Sequence, residues 1–150
     1  MKRILVIGFL LATIVSCNKN KVKTQPQVQI NSFGPSEAVS GQTLTLKATI
    51  TDKEGDVQDS VLLVQKIFNI TTSSLLTTDT LRYSIKDFGT PIESKIELQA
   101  IFNYGQIVDG TIYIGQQSVD RNLAIGIIVF DNAGNKSDYV ETNKIVLKKS

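Results

Sequence analysis

Residues able to do chemistry are few in this chain and unevenly placed. Its 150 residues include no His and a single Cys, Cys17. Without His it lacks the side chain most used as a general base near neutral pH. One Cys permits neither an internal disulfide nor a Cys-rich zinc site. What remains is oxygen chemistry. Asp52, Glu54, Asp56 and Asp59 fall in one short stretch, and Asp131, Asn132, Asn135 and Asp138 in another. Ca²⁺ takes roughly six to eight oxygen ligands at flexible geometry, and acidic turns supply them. Asp52, Glu54, Asp56, Asp131 and Asn135 are therefore the candidate Ca²⁺ ligands. The same residue types are also what tight turns need, because Asx side chains cap their own backbone and Gly takes positive φ. Neither stretch is an EF-hand, since no acidic residue closes a loop of the required length.

No enzyme is expected. Ser60, Ser84 and Ser94 have no motif around them, and the Lys residues are scattered. The carboxylates sit in turns or at alternating, solvent-facing positions rather than as an isolated pair. Phosphate-binding loops and dinucleotide fingerprints are absent from the sequence. A sugar platform would want an exposed aromatic. There is no Trp, and the Tyr residues are Tyr83, Tyr104, Tyr113 and Tyr139. Tyr104, in a Tyr-Gly turn, is the candidate for exposure. The favoured reading is that Tyr at a strand end packs its ring and wets its hydroxyl. Basic residues do not interleave with aromatics, so nucleic acid is not an expected partner.

The elements that must position these residues read as strands. Val28 and Ile30 alternate with polar neighbours. Leu44, Leu46, Ala48 and Ile50 alternate with Thr43, Thr45, Lys47, Thr49 and Thr51, the pattern of a half-buried strand with Thr on its wet face. The run 61–68 is denser in apolar residues and suits a central strand. Residues 71–80 are rich in Thr and Ser and fit a loop or edge strand, with a short strand over 81–85. Phe88-Gly89-Thr90-Pro91 breaks the chain. Ile92 to Phe102 alternates again, Tyr104-Gly105 turns, and 107–114 follows with Asp109-Gly110 as a bulge or tight turn. Strands over 123–130 and 139–147 flank the turn Asp131–Asn135. Seven to nine short strands with a turn about every ten residues predict an all-β, two-sheet antiparallel sandwich over 27–150. The middle, about 68–115, has room for an extra hairpin.

The N-terminus is different. Met1-Lys2-Arg3 is basic, residues 4–15 carry no charge, and polarity returns at Asn18-Lys19-Asn20-Lys21. That order is a secretory signal, and the apolar run falls short of the ~20 residues a spanning helix needs. Removal of residues 1–16 takes Lys2 and Arg3 with it and leaves 14 basic residues against 14 acidic ones. Lys19, Lys21 and Lys23 lie in the polar tether of 17–26, and Lys148 and Lys149 at the C-terminus. The body between them is net acidic, with 9 basic residues against 14 acidic. A basic tether beside anionic lipid with an acidic domain held off it is one reading of this distribution, and a plain solvated linker is the other.

Ile14-Val15-Ser16-Cys17 resembles the lipobox of bacterial lipoproteins. The resemblance implies a helical signal peptide over 1–16, acylation of Cys17 with palmitate-type chains, and an envelope location. Asn18, in place of the Asp that retains such proteins at the inner membrane, implies the outer membrane, with the face left open. Ser40-Gly41-Gln42-Thr43-Leu44-Thr45-Leu46 and the stretch Val129–Ser137 resemble the second strand and the F–G hairpin of bacterial immunoglobulin-like domains, the cadherin-, polycystic-kidney-disease- and fibronectin-like group. The sheet-bridging Cys pair and core Trp of antibody domains are missing. In that fold the turns 52–59 and 131–138 share one end, which would gather the candidate Ca²⁺ ligands. Asp59-Ser60-Val61 and Asp79-Thr80-Leu81 resemble an O-glycosylation sequence of some bacterial envelope proteins, which marks Ser60 and Thr80. The implied function is a lipid-anchored, non-catalytic binding or adhesion module with a protein or glycan partner. The alternative is a periplasmic structural or accessory subunit of an outer-membrane complex, Ca²⁺-stabilised in one version. Addition of a strand at an edge such as 71–85 is one physical route to a partner.

Overall fold

The computed structural model describes residues 25–55, 57, 59–85 and 94–150. The expected signal peptide, Cys17, most of the tether, the break at 88–91 and Asp56 lie outside the described residues. Every element among the described residues is a strand: β1 (Gln27–Gly34), β2 (Glu37–Ala38), β3 (Thr43–Thr51), β4 (Ser60–Asn69), β5 (Leu75–Ser84), β6 (Lys95–Tyr104), β7 (Ile112–Ile114), β8 (Arg121–Phe130), β9 (Val140–Glu141) and β10 (Ile145–Leu147). They form two sheets. One has the order β1-β3-β6-β7. The other runs β2-β10-β8-β4-β5, with β9 also paired to β8.

Period-two patterning decides which faces meet. In β3, Leu44, Leu46, Ala48 and Ile50 are fully buried while the Thr residues between them face outward. Opposite them, Val61, Leu63 and Ile67 of β4 and Leu123, Ile125, Ile127 and Val129 of β8 point inward, and one apolar cluster joins both sheets. Each such Leu or Ile contributes on the order of 2 kcal/mol on burial. Phe33 meets Phe102 edge to face at 6.2 Å. Gln65, also inward, donates from Nε2 to the Tyr113 carbonyl at 3.3 Å and so ties the second sheet to β7 of the first. β8 is buried on both faces, because Ala124 and Gly126 on its outer face are covered as well.

The all-β, two-layer expectation holds, and two of its details are corrected. Both sheets are mixed rather than antiparallel: β7 runs parallel to β6, and β2 parallel to β10. The cause in the first sheet is the excursion after Tyr104. Gly105 (φ 77°) and Gly110 (φ 75°) turn the chain twice, so Ile112 arrives opposite Phe102 and heads the same way. A strand over the whole of 107–114 is thereby reduced to three residues, and Ile107 is left 84% exposed in the loop. Second, the strand expected over 139–147 is split into β9 and β10, whereas 75–84 forms one ten-residue strand at the sheet edge, the edge-strand alternative offered for 71–80.

Candidate functional site

The two acidic stretches do come to the same end. Ser60 at the start of β4 sits opposite Phe130 at the end of β8, so the connection 52–59 enters beside the point where 131–139 leaves. The side chains are then used differently. Asp131 is buried, and its two oxygens accept from Asn135, Oδ1 from the backbone N–H at 2.7 Å and Oδ2 from Nδ2 at 2.8 Å. Gly134, with φ 84°, completes that turn. Glu54 is exposed. Asp59 accepts from the Ser60 hydroxyl at 2.9 Å and from Arg82 Nη2 at 3.2 Å. Asp52 is 4% exposed, and among the described residues neither of its carboxylate oxygens has a hydrogen-bond partner. It lines a cavity of about 660 Å³ with Gln25, Gln27, Thr51, Lys53, Ser94 and Lys95. Two Lys on that rim oppose a cation. Among the described residues no group of three or more His, Cys, Asp or Glu is arranged to hold a metal ion. Among the described residues the donors at this end are thus the enclosed Asp52 carboxylate, the exposed Glu54, Asp59 engaged by Ser60 and Arg82, and an Asx turn closed on itself.

The two marked hydroxyls stand in opposite situations. Ser60 is 3% exposed, and its Oγ accepts from Arg82 Nη2 at 2.8 Å and Nε at 3.1 Å. Thr80 is exposed on β5.

The Tyr residues also divide. Tyr104 is not exposed but fully buried, so it offers no platform. Its hydroxyl donates to the Lys148 carbonyl at 2.6 Å and accepts from the Gln117 N–H at 3.2 Å. Tyr139 is the partly exposed ring on the outer face of the second sheet. It lies on Gly126, where an added Cβ would fall 2.3 Å from the ring. Lys66 Nζ stands 4.6 Å above the ring centroid and 2.6 Å from Glu141 Oε2, and the Tyr139 hydroxyl donates to the same carboxylate. The hydrogen bond to Glu141 raises the Lys66 ammonium above its ordinary range. Burial raises the Tyr139 phenol. Burial also pushes Glu141 up, but the hydrogen bonds from Lys66 and Tyr139 outweigh it and hold the carboxylate below its usual range. Period two in the sequence places Lys66 on the outer face of β4, yet its meeting with Tyr139 and Glu141 depends on β9 folding over Gly126, which no local signal encodes.

The remaining feature is an edge. β5 pairs with β4 from Ser84 to Leu75, with one register shift that leaves Leu76 unpaired, and has no ladder partner on its other side among the described residues. Leu75 to Thr80 are exposed on both faces, with Leu75 at 51% and Leu76 at 46%, and Ile70 is exposed in the adjoining turn. Beneath the lower half of β5 a mostly apolar crevice of about 390 Å³ opens between the sheets, lined in part by Val61, Leu63, Tyr83, Leu98, Ala100 and Ile112.

No family model matches the chain, and no curated protein does. Some solved structures share part of its course. The sporulation control protein Spo0M from Bacillus subtilis superposes with a TM-score of 0.44 at 9% identity, over 84% of this chain and 50% of that one. A β-glucosidase from Listeria innocua gives 0.36 at 11% identity, over 84% of this chain and 16% of the enzyme. The CARDB domain of a Pyrococcus furiosus protein, in complex with di-metal ions, gives 0.27 at 8% identity, over 84% and 86%. The chain thus spans half or less of the first two, and at such scores these likenesses carry no argument about what it does.

Proposed function

We propose that this chain is a lipid-anchored, non-catalytic binding module of the bacterial cell envelope. In this reading Cys17 is acylated at the outer membrane, 18–26 is a tether, and the sandwich is immunoglobulin-like. The strand orders β1-β3-β6 and β10-β8-β4-β5, with the 52–59 and 131–139 connections at one end, support the last point. The observation that carries the binding role is the open edge of β5. β5 has no Pro, Gly or Lys; its charges are Asp79 and Arg82 and its ladder shifts register once near Leu75, and an unpaired strand of this length is a template for another strand. The edge is also reachable from a tether. Gln27 pairs with Thr51, so the chain enters at the end where the 52–59 connection lies, and the exposed Ile70, Leu75 and Leu76 stand at the far end. A partner therefore meets the edge without contact with the surface to which the tether leads.

Two measurements on the native host test this. Labelling with an alkyne fatty acid is expected to mark the chain, and Cys17→Ala to abolish the mark and release the protein from the membrane fraction. Protease shaving of intact cells, with lysed cells as control, tells which face of the membrane the domain occupies. An unlabelled chain in the soluble cytosolic fraction would overturn the reading.

A further inference from the structure

The geometry points to a specific occupant of the β5 edge: the same edge of a second copy of this chain. This deepens the binding role proposed above and rests on it. The Ile85 N–H donates to the Asp59 carbonyl at 3.2 Å. With Ser60 opposite Ser84, that bond turns the odd-numbered residues of β5 toward β4. The even-numbered residues Thr78, Thr80, Arg82 and Ser84, on the regular side of the register shift between Thr77 and Leu75, then present their N–H and C=O groups to the open side. Two copies related by a two-fold axis continue the sheet only if their edge strands run antiparallel with the same faces aligned, so even residues pair with even and odd with odd.

Charge restricts the register. An axis at Asp79 or at Arg82 sets like charges directly opposite, which is destabilising. An axis at Leu81 sets Leu81 against its own copy and the exposed Asp79 against Tyr83 of the second copy, a carboxylate facing a phenol. Arg82 then faces Thr80 of the second copy. Asp79 already lies close enough to Tyr83 of its own strand to help burial raise that phenol, which keeps it a hydrogen-bond donor. The rest of the strand is Leu, Thr, Tyr and Ser, residues that pair readily in sheets. Antiparallel pairing also fixes direction. The two N-terminal ends leave opposite extremes of the dimer, so two anchored copies would join facing surfaces.

The test is sedimentation of the full chain in non-ionic detergent, with Thr80→Pro as the discriminating variant. Residue 80 gives its N–H to the open edge, so Pro there deletes a contact to the second copy and leaves every β4–β5 bond in place. The wild type is expected to associate into dimers in the high micromolar range, and Thr80→Pro to weaken that association at least about tenfold with its melting temperature kept. Leu81→Cys, at a non-hydrogen-bonded pair where Cα atoms approach to about 4.5 Å, is expected to give a disulfide-linked dimer under mild oxidation. A wild-type chain that stays monomeric, or a folded Thr80→Pro chain that dimerises as before, overturns the proposal. The mass of the group on Cys17, read from the same samples, reports the anchor separately, so failure of one reading is not mistaken for failure of the other.

Discussion

Replacing Tyr104 by Phe removes one oxygen and keeps the ring. The ring is fully buried in the cluster that joins the two sheets, so the apolar contribution is unchanged. The hydroxyl, by contrast, holds two separate pieces of chain. It donates to the Lys148 carbonyl just beyond β10 at 2.6 Å and accepts the Gln117 N–H at 3.2 Å. Among the described residues neither group has another hydrogen-bond partner. A made hydrogen bond contributes about 1 kcal/mol net, and a buried group left unpaired costs about 1–3 kcal/mol. Both bonds are part-buried, so the sum is set at about 2 kcal/mol. For a domain of this size that lowers the melting temperature by roughly 8 °C. Urea unfolding should show the loss as a shifted midpoint at constant slope, because the surface exposed on unfolding is the same. Hydrogen exchange should localise it to the amides of Gln117 and β10, while β3 and β6 keep their protection. A loss under about 0.5 kcal/mol, or one spread evenly over both sheets, would refute the idea that this hydroxyl clamps the C-terminal strand.

Gly126→Ala places a Cβ 2.3 Å from the Tyr139 ring, which must leave; a cost of about 1–3 kcal/mol is expected. A phenol titration followed by ultraviolet absorbance should then move the Tyr139 component back toward lower pH, because the displaced ring is no longer desolvated. The Lys66–Glu141 pair makes stability depend on pH at both ends. Glu141 has its folded pKa held below the ordinary 4.5, so its contribution is present above that value and disappears as pH falls through the folded pKa. Lys66 is raised above 10.5, so its contribution is present below that value and is lost as pH rises through the folded pKa. Melting curves of Glu141→Gln should show a shallower acid limb than the wild type, and equal limbs would remove the pair from the account.

The sequence by itself determined the strands and their inward faces. Alternation in 43–51 names Leu44, Leu46, Ala48 and Ile50 as core, and all four are fully buried. Asx and Gly residues mark the turn at 131–135, because that chemistry is local: Asp131 and Asn135 satisfy each other within the turn itself. Tertiary structure decided whatever depends on residues distant in the chain. The direction of β7 follows from where the loop after Tyr104 can return to β6, and two turn glycines do not encode that destination. A Tyr-Gly pair has the local signature of an exposed turn, whereas at Tyr104 the chain just beyond β10 covers the ring's hydroxyl end. The sequence could place Asp52 in an acidic turn but could not tell that its oxygens would be enclosed with no hydrogen-bond partner among the described residues. Residues 75–80 show the limit most plainly. Their Thr-rich composition suits a loop and an edge strand equally, and only the ladder to β4, with nothing described on its other side, makes them an edge. Local periodicity sets which way a side chain points. What it meets there is set by partners that the chain supplies from elsewhere.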